Sequence, residues 1–286
     1  MTINPWEVRG KSLIEKLGGL HWFWVGGTIL ILILIATVHP LGLPISTTKW
    51  TEDAYNAIIN VPKDKVIIWE DEWSITGLAE AESAHTALMR ILFANNIPFI
   101  MYGQSADTPS LQTYITNIVK KYPEAQGKVY GRDWVQLGFL AGGEGAIVLL
   151  AEDIHAAFKT DYYETPLDQL PLMDKVRSYR DVSIVISGSS SQTWVETPVR
   201  QWYIKYNVPL ISYTLTGGTV LSSTYYPNKG IIGIIEGSHG GAELEFLGKV
   251  FGIGQAQSDA KTLAFLTVAG WIILGNISFL GSRRKK

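Results

Sequence analysis

Hydrophobic positions follow two different patterns along this chain. At its ends, His21 to His39 and Leu263 to Leu280 are apolar and contain no Asp, Glu, Lys or Arg. Each stretch is close to the ~20 residues that a helix rising ~1.5 Å per residue needs to cross ~30 Å of hydrocarbon. Only a helix satisfies its own backbone inside lipid, so the pattern predicts transmembrane helices over 21–39 and 263–280. Trp22, Phe23 and Trp24 suit an interfacial aromatic belt, and Pro40 marks where the first helix should stop. A charged start followed by Ile29 to Ile35 also fits a signal peptide, but the expectation here is a retained anchor.

Between the ends, short apolar and β-branched runs alternate with segments of helical spacing. Val66–Trp69, Pro98–Tyr102, Trp134–Phe139, Val182–Ser187, Val208–Tyr213 and Gly230–Ile235 read as buried strands. Leu78–Asn95, Pro109–Tyr122, Glu144–Phe158 and Thr193–Tyr206 read as helices. Fully apolar strands joined by helical crossovers predict a mainly parallel, doubly wound sheet, a Rossmann-like α/β domain over 40–245. Residues 246–262 then form a juxtamembrane connector. Lys159 to Arg180, rich in Pro and charge, reads as a long excursion of the docking or functional kind.

Charge orients this scheme. Arg9, Lys11 and Lys16 precede the first span, and Arg283, Arg284, Lys285 and Lys286 follow the second, against Lys49, Lys249 and Lys261 on the inner flanks. Basic residues resist translocation, so the tails 1–20 and 281–286 are expected to be cytoplasmic and the α/β domain extracytoplasmic. The net charge of −2 gives no surplus for binding nucleic acid. Cysteine is absent, which excludes disulfides, thiolate metal sites and a cysteine nucleophile. Ten Trp and thirteen Tyr are a heavy aromatic load, suited to cores and to partner surfaces alike.

In open parallel sheets, ligands bind beyond the carboxyl ends of the strands. The residues expected there are Glu70-Asp71-Glu72, Gly103 to Asp107, Gly142-Gly143-Glu144, Gly188 to Gln192, Thr214 to Gly218, and Glu236 to Gly241. From this edge Glu72, Gly142, Gly143, Glu144, Ser189, Ser190 and His239 are the candidate ligand contacts, and no catalytic set is assigned. Gly142 and Gly143 would let a backbone approach a phosphate, but the Gly-x-Gly-x-x-Gly spacing is missing and Glu144 would repel an anion, so an ordinary tight turn is the expectation. Ser189 with His239 and an acid such as Glu236 or Asp107 would make a nucleophile set, yet the chain lacks Gly-x-Ser-x-Gly, and helix capping is the plainer role for these serines. Glu82/His85 and Glu152/His155 have the i, i+3 spacing of metal ligands, but the fold does not bring the pairs together. Glu70-Asp71-Glu72 reads as a solvated loop, because adjacent side chains in an extended segment diverge. Neither a metal nor a cofactor is expected.

Several motifs resemble those of a family of prokaryotic membrane-anchored, Rossmann-like α/β proteins with no established activity. They are Pro40-Leu-Gly-Leu-Pro44 followed by Trp50 and Tyr55, Gly142-Gly143-Glu144, Asp161-Tyr162-Tyr163 before Thr165-Pro166, Arg200-Gln201-Trp202, and Gly240-Gly241-Ala242-Glu243. The chain departs from the family at Ser238-His239 and Leu244, where an acidic-aromatic pair is usual. The resemblance implies architecture rather than activity. The missing catalytic set, together with Gly270, Gly275, Asn276 and Ser278 in the second span, which suit helix packing in lipid, points to a non-enzymatic subunit or scaffold of a homo- or hetero-oligomeric membrane assembly. The alternative is a membrane-tethered ligand-binding or hydrolytic domain using the strand-edge pocket.

Overall fold

The computed structural model describes residues 22–191 and 194–283, so the tail 1–20 and the basic residues 284–286 lie outside the described residues. The chain divides into two compact units, Ile45–Gly254 and the terminal segments up to Pro44 and from Gln255 onward.

The larger unit holds, in chain order, α2 (Lys49–Ile59), β1 (Val66–Glu72), α3 (Leu78–Ala94), β2 (Phe99–Gly103), α4 (Thr108–Val119), β3 (Trp134–Phe139), α5 (Gly143–Glu152), α6 (Ile154–Ala157), β4 (Val182–Ser189), α7 (Glu196–Pro198) running into a π-helical turn (Val199–Ile204), β5 (Leu210–Thr214), α8 (Thr219–Ser223), β6 (Ile231–Glu236) and α9 (Gly237–Gly248). α1 (Trp22–Val38) precedes them and α10 (Ile253–Arg283) follows. The six strands form one parallel sheet in the order β3-β2-β1-β4-β5-β6, which is the Rossmann order. The chain winds outward from β1 to β3 and then returns to place β4 beside β1, so the topological switch point lies between those two strands.

Both sheet faces are covered, which is why the strands read as unbroken apolar runs. Side-chain alternation sends Ile67, Trp69, Phe99 and Ile186 to one face, where they pack with Leu88 and Ile91 of α3. Ile68, Ile100 and Val185 go to the other, against Ile147 and Leu150 of α5, Met173 of the long excursion, and Trp202.

Three local expectations change. β1 does not end at Trp69 but continues through Glu72, paired to β2 on one side and β4 on the other, so Glu70 and Asp71 are fully buried rather than a solvated loop. The helix expected over 144–158 breaks at Asp153, whose carboxylate caps α6 by accepting from Ala156 N at 3.0 Å. The glycine-rich stretch after β6 is a packing helix, not a loop. A Cβ on Gly241 would lie 2.5 Å from Ser83 Oγ and 2.6 Å from Ala84 N, and one on Gly240 2.9 Å from Ile235 Cγ2. Only glycine lets α9 approach α3 and β6 this closely.

In the terminal unit, Ile253–Leu280 is the one described helix long and apolar enough to cross a membrane. It displays Phe265, Leu266, Ile272 and Phe279 on its surface. α1 is also apolar, but its 17 residues reach only about 25 Å at ~1.5 Å per residue. Trp271 Nε1 donates to Thr28 Oγ1 at 3.0 Å, joining the two helices. Gly26, Gly27, Gly270 and Gly275 have nothing within 4 Å of where a Cβ would lie, so these four glycines do not make a close contact. Asp259 of α10, fully buried, accepts the consecutive amides of Leu41, Gly42 and Leu43 at 2.6, 2.9 and 3.1 Å.

Candidate functional site

The switch point is built by register. Glu72 of β1 stands directly beside Ser189 of β4, so their side chains meet at the strand ends. Ser189 Oγ donates to Glu72 Oε2 at 2.6 Å and accepts from Ser191 N at 2.8 Å. Ser190 Oγ donates to the Glu72 carbonyl at 3.2 Å and accepts from Ser74 N at 3.3 Å. The serine run is therefore a clasp that ties the ends of β1 and β4. Behind it, Ser187, Ser189, Ser191, Trp194 and Thr214 line a cavity of about 10 Å³, room for one water molecule.

The other candidates sit in separate clusters. Gly142 and Gly143 take φ of +113° and +58°, forming the left-handed turn that starts α5. Glu144 follows and is held by Arg200, by Gln201 Nε2 at 2.8 Å and by Thr197 Oγ1 at 3.1 Å. The hydrogen bond from Arg200 is the main reason its carboxyl stays below the usual range. His239 lies 3.3 Å from Glu243, which also accepts from Thr48 N at 2.9 Å and Thr48 Oγ1 at 2.8 Å. Glu72, Ser189 and Ser190 are thus brought together, while Gly142 to Glu144 and His239 each have their own partners.

Beneath the clasp lies a network that the sequence reading missed. Asp71 Oδ1 accepts from Trp69 Nε1 at 3.0 Å and lies 3.3 Å from His85 Nε2, while Oδ2 accepts from Gln112 Nε2 at 3.0 Å. His85 Nδ1 lies 3.0 Å from both Ala81 O and the Tyr213 hydroxyl, and that hydroxyl donates to Ala81 O at 2.6 Å. Gly188 is required here, because a Cβ would lie 2.5 Å from Asp71 Oδ1 and 2.7 Å from Trp73 Nε1. All of Asp71, His85 and Tyr213 are buried. His85 is therefore turned into the core and away from Glu82, and His155 lies against Asp168 and the Met173 carbonyl. Among the described residues, no three His, Asp or Glu side chains converge as metal ligands would.

On the opposite face, Glu70 is buried without a hydrogen bond to either carboxylate oxygen. Burial pushes its carboxyl up to about 7, although Tyr102, Trp202 and Trp194 turn donors toward it and partly offset the rise. None of those three donors closes to hydrogen-bond geometry. The signal available in the sequence was three acids continuing an apolar run, which a loop reading discards.

Compared with known proteins, the chain matches no family model, and no curated protein or solved structure is significantly similar. The family resemblance of its motifs gains no support from these comparisons. What stands is a Rossmann-like α/β unit joined in sequence to a helix able to cross a membrane.

Proposed function

We propose that this chain is a membrane-anchored, non-enzymatic subunit or scaffold of a membrane protein assembly. In this reading α1 and α10 both span the bilayer, both termini are cytoplasmic, and the α/β unit is extracytoplasmic and oligomerises or meets other membrane proteins. The observation that carries it is the Glu72–serine clasp at the switch point, formed among the described residues. Where Rossmann-type sheets hold ligands, the chain's own serines and Glu72 satisfy one another around about 10 Å³. The turn after β1 starts Glu72-Trp73-Ser74, bulky and acidic where a phosphate would need glycine and amide donors. The alternative, a ligand-binding or hydrolytic site at this edge, has against it that Ser189 is buried with its hydroxyl committed to Glu72, and that His239 is engaged by Glu243.

Native mass spectrometry of the full chain released gently from its own membranes tests the assembly. A stable oligomer or a stoichiometric copurifying membrane protein is expected; bare monomers alone would reject the reading. For topology, Lys121→Cys supplies the only thiol in a cysteine-free chain. A membrane-impermeant maleimide should label it on intact cells.

A further inference from the structure

At the amino-terminal end of the sheet, opposite the serine clasp, the described residues form a cleft. Loops before β1, β2 and β3 and part of the long excursion surround this cleft of about 470 Å³, well within the ~300–1,000 Å³ typical of small-molecule sites. Its floor is apolar, with Phe93, Ile97, Leu172 and Val176. Its rim is cationic. Lys63, Lys65, Lys128, Arg132 and Lys175 line it against Asp64 and Asp133, five positive and two negative charges, a local net of +3 on a chain whose overall charge is −2. Arg132 Nη2 binds Asp133 Oδ2 at 2.7 Å, which cancels that pair and leaves four lysines facing Asp64. Lys65 donates to the Arg180 carbonyl and Lys128 to Asn96 Oδ1, neutral acceptors that fix the ammonium groups in place without neutralising them. Among the described residues, Lys63 and Lys175 enter no ion pair.

A concave site with low-dielectric walls focuses the field of its charges, so this cleft concentrates anions. Its apolar floor also favours a ligand that brings a hydrocarbon or aromatic body. We propose that the cleft binds a small amphiphilic anion, an apolar body bearing a phosphate or carboxylate group. The site is independent of the scaffold reading and lies at the opposite end of the strands from the serine clasp.

Because the chain has no cysteine, Asp174→Cys beside the cleft accepts one environment-sensitive fluorophore. The labelled full chain in nanodiscs of zwitterionic lipid is titrated with hexyl phosphate, inorganic phosphate and hexanol. Saturable binding of hexyl phosphate is expected, at least tenfold tighter than either fragment and at least tenfold weaker in 0.5 M salt. Lys63→Glu with Lys175→Glu should weaken it a further tenfold or more. Lys205→Glu with Lys229→Glu, outside the cleft, should leave it unchanged. Both reversals are at solvated positions, and circular dichroism checks that the fold is retained. A response without added ligand in nanodiscs of anionic lipid would identify a lipid headgroup as the source of the anion; a response only to hexyl phosphate would identify a free small molecule. Hexanol binding as tightly as hexyl phosphate, or a folded K63E/K175E chain binding normally, would overturn the proposal.

Discussion

Glu70 and Asp71 are neighbours in β1, equally buried, and point to opposite faces of one sheet. Asp71 meets an indole, an imidazole and a carboxamide within 3.3 Å, whereas the Glu70 carboxylate closes no hydrogen bond. The two acids differ because their neighbours come from different elements. On the Asp71 face, His85 of α3 and Gln112 of α4 reach the carboxylate. On the Glu70 face, the same level is filled by Trp194, Trp202 and Tyr102, large side chains with one donor each. Burial alone thus says little about a carboxyl group; its partners decide whether it holds the fold together or burdens it.

Removing the satisfied member should have the largest effect. Asp71→Ala leaves Trp69 Nε1 and His85 Nε2 without their Asp71 partner and Gln112 Nε2 with only the Tyr102 carbonyl at 3.2 Å, and a loss of about 3 to 5 kcal/mol is expected. For a domain of this size that lowers the thermal midpoint by on the order of 10 °C, read by thermal unfolding of the full chain in mild detergent. A midpoint within about 2 °C of the parent would mean that the Asp71 network contributes little.

Glu70→Gln should act in the opposite direction. The folded-state pKa of about 7 exceeds the ordinary 4.5, so the folded chain holds this proton more tightly than the unfolded chain does. The resulting stabilisation is complete below pH about 4.5 and is lost as pH rises through about 7. Above neutrality the ionised, unpartnered carboxylate costs roughly 3 kcal/mol. The amide cannot ionise, so E70Q should be more stable than the parent at pH 8 by up to that amount, and the two should converge near pH 4.5. A difference that does not depend on pH would show that Glu70 does not titrate in this range.

The sheet itself was legible because both of its faces are covered. All six strands fall within about two residues of their apolar runs at the start, and β3 coincides with its run at both ends. The site was not legible for a related reason. Charges normally end a strand, but here pairing on both edges carries β1 past Glu70 and Asp71. The partners of Asp71 lie 14 and 41 residues away, on helices whose rotation no periodicity specifies. His85 and Glu82 looked like a ligand pair, yet a single helix face cannot reveal that His85 turns inward to Asp71 and Tyr213. The glycines of α9 carried a clear signal of close approach but no indication of what approaches.

The smallest effect tests whether the serine clasp belongs with Asp71 or with Glu70. Ser189 is buried, and its hydroxyl both donates to Glu72 at 2.6 Å and accepts from Ser191 N at 2.8 Å, so it resembles the satisfied side. Ser189→Ala removes both bonds. The Ser191 amide and the Glu72 carboxylate sit near the strand ends, where water can replace part of what is lost, so about 1 to 2 kcal/mol is expected rather than the full cost of an orphaned interior group. Hydrogen exchange gives the sharper reading. The Ser191 amide should exchange much faster in S189A, while the amides of Ile184 to Ile186 in the middle of β4 stay protected. If protection fell equally along the strand, the clasp would be part of the global core, and the joining of the two strand ends would be a consequence of sheet packing rather than of the Glu72–Ser189 register.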